Sequence, residues 1–406
     1  MSGANDNMGA PLRIAIVGAG PSGLYAAERL IKVAPASRID IFDRLPVPFG
    51  LIRYGVASDH QSTKGVARVL ARVFDKPGVR FLGHVEIGRD VTLEMLRDHY
   101  DGVLLAIGVG EDRRLGIPGE DLGHVFGSWA FTGWTNGRPG HPPPEVDWAQ
   151  VRHVGIIGLG NVAIDVARLF LKGTGGLEGS DLGQEASEAL ARAPIEAVTI
   201  LGRASLDGAR FGLAELSELL ALPGLATTVS PPAPKSSDSP LATPLRAAQQ
   251  AGTRRLHLRF GATPVELQGP ERVTGIRLAE AEATTLLPVD LVISCIGYAC
   301  SPFCGLAQEE GRFLHDGHRI ADDLYVAGWA ATGPRGTIAS SRQAAHAVAD
   351  RMLAEVTARG LSGLDPAGAI GFDGWKRIDA AETAAATPTR VRTKLETIEA
   401  MLAVAR

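Results

Sequence analysis

Apolar residues in this chain fall into short unbroken runs, each closed by a glycine turn and followed by a stretch of helical periodicity. Arg13–Val17 reads as a buried strand, Pro21–Val33 as an apolar helix, and Ile39–Phe42 as a second strand ending at Asp43. Continuous apolar runs of this length suit strands covered on both faces, as in parallel sheets. The order then returns: strand Val154–Ile157, a turn at Gly158–Gly160, helix Val162–Leu171 and strand Val198–Leu201. Strands are also expected at Val103–Gly108, Leu256–Phe260, Arg272–Leu278, Leu291–Ile296 and Leu324–Ala327, with a last helix over Thr337–Leu353. Gly137–Pro144 reads as a proline-rich linker, Gly173–Pro194 as an insertion and Pro231–Gly252 as a surface excursion. Two βαβ units in 406 residues predict an α/β protein of two or three packed units.

Both glycine turns carry chemistry. Gly18-Ala-Gly20-Pro-Ser-Gly23 lies between a strand and a helix, where glycines permit a tight turn, close backbone approach to a pyrophosphate and helix–strand packing. The anion then sits on the free N–H groups of a helix N-terminus. Asp43 follows 20 residues after Gly23, placed to accept hydrogen bonds from a ribose. The second turn is Gly158-Leu-Gly160-Asn-Val-Ala163, and after its next strand comes Gly202-Arg203 rather than an acid. A guanidinium there pairs with a 2′-phosphate, so NADP is favoured over NAD on one cation. The first site alone is compatible with FAD or NAD. The strand closing on Gly108 and the late Gly328-Trp329 followed by a helix point to flavin at the first.

Composition adds exclusions. Basic and acidic residues number 41 and 45, which gives no reason to expect nucleic-acid binding. No apolar run reaches the length of about 18 residues that a membrane span needs. The opening residues 1–10 lack basic and apolar regions and read as a frayed tail. The cysteines, Cys295, Cys300 and Cys304, are too few and too close for a disulfide framework and suit a reducing cytoplasm. Their spacing lacks the Cys-x-x-Cys of a thioredoxin-reductase-like enzyme and supplies no metal site.

The chain resembles the adrenodoxin reductase family of ferredoxin–NADP reductases, including the bacterial FprA type. The likeness rests on Gly18–Gly23, the run PVPFGLIRYGV at Pro46–Val56, Asp59-His60, the run GNVAIDVAR at Gly160–Arg168, Gly202-Arg203, Ile296-Gly-Tyr298 and Gly328-Trp329 with Gly333–Gly336. It implies two Rossmann-like dinucleotide-binding domains: an FAD domain from residues 1–108 and 321–406, the latter with a C-terminal extension, and an inserted NAD(P) domain at 109–320. FAD contacts implied by the family are Ser22, Asp43, Leu51, Val85, Trp329, Gly336, Thr337 and Ile338. NADP contacts are Leu159, Gly160, Asn161, Val162, Arg203, Glu215 and Gly336. His60 and Asp165 match a polar pair near the flavin. Hydride from NADPH would pass to FAD and single electrons to a ferredoxin-type iron–sulfur protein, because flavin carries electrons singly as well as in pairs.

This chain departs from the family at three places. Arg203-Ala204 replaces two adjacent arginines, which leaves NADH use open unless Arg210 compensates. Ala331-Thr332 replaces a Lys-Arg pair, and the basic stretch around Pro231–Ala248 keeps only Lys235 and Arg246. From the residues alone, Asp165 orients a nicotinamide carboxamide, partners His60 or is one half of an Asp165–Arg168 helix pair, and Arg53 and Lys64 are equally open to being simple solvated charges. An electron-input subunit like that of glutamate synthase would need cysteine-rich segments the chain lacks. A flavin monooxygenase would not need PVPFGLIRYGV.

Overall fold

The fold is seen in a computed structural model that describes residues 11–406 except 235, 281, 282 and 337. The expected frayed tail, residues 1–10, lies outside the described residues. The first sheet has six strands in the order Arg319–Ala321, Leu324–Val326, Gly102–Leu105, Arg13–Val17, Arg38–Asp43 and Val79–Gly83. All pair in parallel except the antiparallel edge strand Arg319–Ala321. Alternate residues of Arg13–Val17 feed two cores. Ile14 and Ile16 pack with helices Pro21–Val33 and Ile338–Glu355, while Ala15 and Val17 face Phe42, Val85, Leu105 and Trp129. Burial on both faces explains why the strands read as unbroken apolar runs.

The second sheet is wholly parallel, in the order Val125–Gly127, Leu291–Ser294, His153–Ile157, Ala197–Gly202, Arg254–Phe260 and Leu225–Ser230. An antiparallel three-stranded sheet, Thr263–Gln268, Gly275–Glu280 and Ala283–Pro288, closes one side over Ile157 and Leu201. The strand expected at Arg272–Leu278 is shifted to Gly275–Glu280. Residues 272–274 are spent on the turn, where Val273 N–H donates to Gly123 O at 2.9 Å and Thr274 N–H to Gln268 O at 2.8 Å. The strand expected to reach Ile296 stops at Ser294, and Ile296 is exposed.

Segments read as insertions hold their own helices. Gln184–Arg192 buries Ala186, Ala189 and Leu190, and Ala242–Ala247 buries Ala242 and Leu245. The C-terminal helices Phe372–Ala384 and Ile398–Ala405 put Trp375, Ile378 and Met401 into the first core. The chain passes between the two sheets on an antiparallel pair, Glu111–Asp112 against Tyr298–Ala299. Beyond it Tyr298, Cys300 and Phe313 already pack in the first sheet's core.

Candidate functional site: two glycine cradles and the seam between them

At the C-terminal edge of the first sheet, the three motif glycines do different things. Gly18 sits at φ +107°, and a Cβ there would lie 2.4 Å from Ala106 O; one on Gly23 would lie 2.1 Å from Gly18 O. Around Gly20 a Cβ would meet nothing within 4 Å, so this backbone faces open space. No side chain caps the helix Pro21–Val33 that Gly20 opens. A turn that is tight behind and bare in front, with uncapped N–H groups, fits the diphosphate of a dinucleotide.

The other predicted residues of this site gather around that turn. Asp43 accepts hydrogen bonds from Ala19 N–H at 2.9 Å and Leu45 N–H at 3.0 Å, while burial raises its pKa despite them. Val85 is buried and donates its N–H to Asp43 O at 3.0 Å. Leu51 opens the short helix Leu51–Tyr54, whose preceding Gly50 lies beside Gly20: a Cβ on Gly50 would be 3.1 Å from Gly20 Cα. Ser22 stands against Gly328, where a Cβ would fall 2.3 Å from Ser22 Oγ. Trp329 is half-buried and donates from Nε1 to Arg335 O at 3.0 Å, with its ring centroid 6.1 Å from that of Tyr298. Gly336 and Ile338 stand at the start of the helix Ile338–Glu355; Thr337 lies outside the described residues.

The second cradle repeats the pattern. Gly158 sits at φ +139° with its Cβ position 2.3 Å from Cys295 O, and Gly160 again faces open space at an uncapped helix, Asn161–Lys172. Asn161 Oδ1 accepts from Gly212 N–H and Leu159 O from Arg210 N–H, both at 2.7 Å, so the loop after the next strand is tied to the turn. Val162 is half-buried in the first turn of this helix. Arg203 and Arg210 are exposed at the mouth, and neither has an ion-pair partner among the described residues. Glu215 sits half-buried in the first turn of the helix Leu213–Leu220. On the far side of that loop, Arg246 is spent on Pro234 O and Thr243 Oγ1, and Lys235 lies outside the described residues.

The two predicted polar residues meet in the seam, within a larger cluster. His60 Nδ1 is 3.9 Å from Asp165 Oδ1, and His60 Nε2 is 3.1 Å from Glu218 Oε2. Asp165 also accepts from Arg168 Nη2 at 2.8 Å, so its approach to His60 and its helix pair with Arg168 occur together. Arg168, whose side chain is fully buried, donates to Asp59 from Nε at 2.7 Å and Nη2 at 3.0 Å, and Lys172 Nζ reaches Asp59 Oδ2 at 2.7 Å. Burial alone would raise the Asp59 pKa, but Arg168 and then Lys172 outweigh it and hold the carboxyl far below its usual range. Burial wins at Asp165, whose pKa is raised. Glu218 escaped the sequence reading; the only signal was a second acid three residues after Glu215, on the same helix face.

Arg53 and Lys64 are not solvated, contrary to expectation. Arg53 Nη2 bonds Glu382 Oε1 of the C-terminal region at 2.5 Å. Lys64 Nζ lies 2.7 Å and Lys394 Nζ 2.8 Å from Asp181, all three buried. Nothing in their local sequence marks them, because each carboxylate partner is more than 100 residues away. Burial pushes the Cys295 thiol far up and the Cys300 thiol up to about 11, so both stay protonated and unreactive. Among the described residues no group of three or more His, Cys, Asp or Glu is placed to hold a metal ion.

Residues 16–82 match the NAD(P)-binding Rossmann-like domain family. The chain is 33% identical to the mitochondrial NADPH:adrenodoxin oxidoreductase of Drosophila melanogaster, over 97% of this chain and 93% of that protein. It is 35% identical to the cindoxin reductase of Citrobacter braakii, over 97% and 91%. Its structure superposes on that of Mycobacterium tuberculosis FprA in complex with NADPH with a TM-score of 0.89 at 31% identity, covering 97% of this chain and 99% of that one.

Proposed function

The chain belongs to the adrenodoxin reductase family of ferredoxin–NADP reductases, and from that premise we propose how its two cradles divide the work. It is an FAD-dependent oxidoreductase that passes electrons from NADPH to a ferredoxin-type iron–sulfur protein. When bound, FAD would supply the conversion of one hydride, two electrons, from the nicotinamide into two single-electron transfers to the acceptor.

The rest is positioning and electrostatics supplied by the chain. The first cradle holds the flavin nucleotide: Gly18, Gly20 and Gly23 with the helix N-terminus take the diphosphate, Asp43 the ribose, and Ser22, Leu51, Val85, Trp329, Gly336 and Ile338 line the remainder. The second holds NADPH on Leu159–Val162 and Glu215, with Arg203 on the 2′-phosphate. Arg210, exposed on the same loop, stands in for the arginine absent at Ala204, which favours NADPH; an NADH-preferring enzyme is the alternative that a lone Arg203 would produce. His60, with Nε2 toward Glu218 and Nδ1 toward Asp165, is the group placed to take up or release protons beside the flavin.

The flavin unit is 1–108 with 321–406 and the nicotinamide unit 109–320, the latter's end folding back onto the flavin unit from Tyr298. Among the described residues no helix is long and apolar enough to cross a membrane, and we assign the protein to the cytoplasm. The observation that carries this reading is a pair of bare glycine turns joined through His60, the second flanked by Arg203 and Arg210, which have no ion-pair partner among the described residues. Anaerobic mixing of the purified holoenzyme with NADPH should bleach its flavin bands, and a [2Fe–2S] ferredoxin should restore them. Restoration only by oxygen together with an organic substrate would overturn the assignment.

A further inference from the structure

Arg138 is not among the positions that the family likeness assigns, and it lies in the stretch Gly137–Pro144 that reads as a linker. The structure gives it a fixed place. A turn after the helix Ser128–Thr135 holds its backbone: Arg138 N–H donates to Gly133 O at 2.9 Å, and Arg138 O accepts from His141 N–H at 3.1 Å. Its guanidinium lies 4.4 Å from the ring centroid of Trp129. Trp129 is buried in the core that contains Val17, Phe42 and Val85, at the C-terminal edge of the first sheet. An arginine of the second unit therefore stacks on an indole of the first sheet's core, near enough to Asp43 to feel its charge.

It arrives there without a counter-charge. The buried arginines Arg53 and Arg168 each bind a carboxylate, Glu382 and Asp59 respectively. Half-buried Arg138 has no side-chain hydrogen bond and no ion pair among the described residues. The acid it senses is Asp43, but both Asp43 oxygens already accept N–H groups, from Ala19 and Leu45. Arg44 adds a second positive charge nearby, so the groups around the cradle, Arg44 and Arg138 against Asp43, sum to one net positive charge. A desolvated guanidinium with open donors and one face covered by an indole is suited to an anion with paired oxygens.

We propose that Arg138 clamps the diphosphate of the flavin nucleotide, reaching across from the nicotinamide side of the molecule. This rests on the assignment of the first cradle to FAD. Burial, and then the charge of Arg44, push the Arg138 pKa down to about 10, the direction expected of a cation placed to receive an anion. Because the residue belongs to the second unit, filling the first cradle also fixes the turn after the helix Ser128–Thr135 that carries it.

The test is flavin release from full-length holoenzyme on dilution, followed by the return of free-flavin fluorescence at low and high salt. Arg138→Gln should raise the dissociation constant for FAD roughly tenfold or more, the factor carried by a charge-assisted hydrogen bond. Its affinity should depend less on salt than that of the parent. Arg138→Lys, which keeps the charge and loses the fork, should fall between the two. ADP should compete with FAD for the stripped parent and compete less well for Arg138→Gln. Parent-like FAD affinity and salt dependence in Arg138→Gln would overturn the inference; if that variant does not fold, parent-like values in Arg138→Lys would do so. A parent that holds no flavin at all would instead overturn the assignment of the cradle.

Discussion

Arg168 and Asp59 are joined by two hydrogen bonds, Nε to Oδ2 at 2.7 Å and Nη2 to Oδ1 at 3.0 Å, and this contact fixes the seam between the two cradles. Asp59 immediately precedes His60, just before the helix Gln61–Lys64. Arg168 lies one helical turn beyond Asp165 on the helix Asn161–Lys172. One fork thus carries His60 to its acidic neighbours, and Lys172 completes the charge balance.

Replacing Asp59 by asparagine should leave Lys172 without its hydrogen-bonded carboxylate and Arg168 with that of Asp165 alone. Breaking a buried pair from one side costs about 3–5 kcal/mol, read as a lowered denaturation midpoint of the flavin-loaded protein. The pH dependence has a definite sign. A carboxyl held below its unfolded value stabilises the fold above that value, about 3.9, and the contribution is lost as pH falls toward the depressed folded value. Arg168→Met removes the cation that depresses Asp59, so, with stabilities matched at neutral pH, its stability followed by circular dichroism should fall less steeply than the parent's as pH drops below about 3.9.

Two glycines of one motif should fail in different ways. Gly20→Ala meets no protein atom within 4 Å, so the chain should fold with a near-parental melting temperature and lose flavin, seen as a fall in visible absorbance per protein. Gly23→Ala drives a Cβ toward Gly18 O, 2.1 Å away, and should cost about 1–3 kcal/mol or more in stability.

Arg203→Ala should raise KM for NADPH roughly tenfold or more, by loss of charge-assisted hydrogen bonds, and leave KM for NADH almost unchanged. Adding Arg210→Ala should weaken NADPH further if Arg210 supplies the second cation. Steady-state rates with both nicotinamides measure this directly.

The two buried lysines around Asp181 predict an asymmetry. Asp181→Asn strands both ammonium groups and should cost about 3–5 kcal/mol. Lys394→Met leaves Lys64 and Asp181 as a balanced pair and should cost only about 1 kcal/mol, from the unmet carbonyl of Asn136, because Lys64 Nζ still donates to Arg53 O. Burial lowers the folded pKa of Lys394. The unfolded chain therefore holds its proton more tightly, and stability should rise with pH up to the unfolded value near 10.4. Denaturant titrations across that range should show a shallower rise in Lys394→Met.

Both glycine cradles were readable in the sequence because each is written locally: strand, turn and helix lie within 20 residues, and burial on both faces leaves an unbroken apolar run. Helix Pro21–Val33 and strand Arg13–Val17 match their expected bounds for that reason. His60 and Asp165 were found through motif likeness and do approach each other. What the sequence hid is pairing at a distance. Glu218, Arg53, Lys64 and Lys394 acquire meaning only when residues more than 100 positions apart meet. Strand Gly275–Glu280 was misplaced because apolar Val273, which looks like a strand residue, is spent closing a turn.

The most direct measurement is anaerobic stopped-flow bleaching of the enzyme's flavin by NADPH and by NADPH deuterated at the transferred position of C4. Two cradles that bring a nicotinamide against the flavin predict rapid bleaching, slowed severalfold by the deuterium. Protein that is colourless and cannot be loaded with flavin, or flavin that no nicotinamide bleaches, would contradict the account.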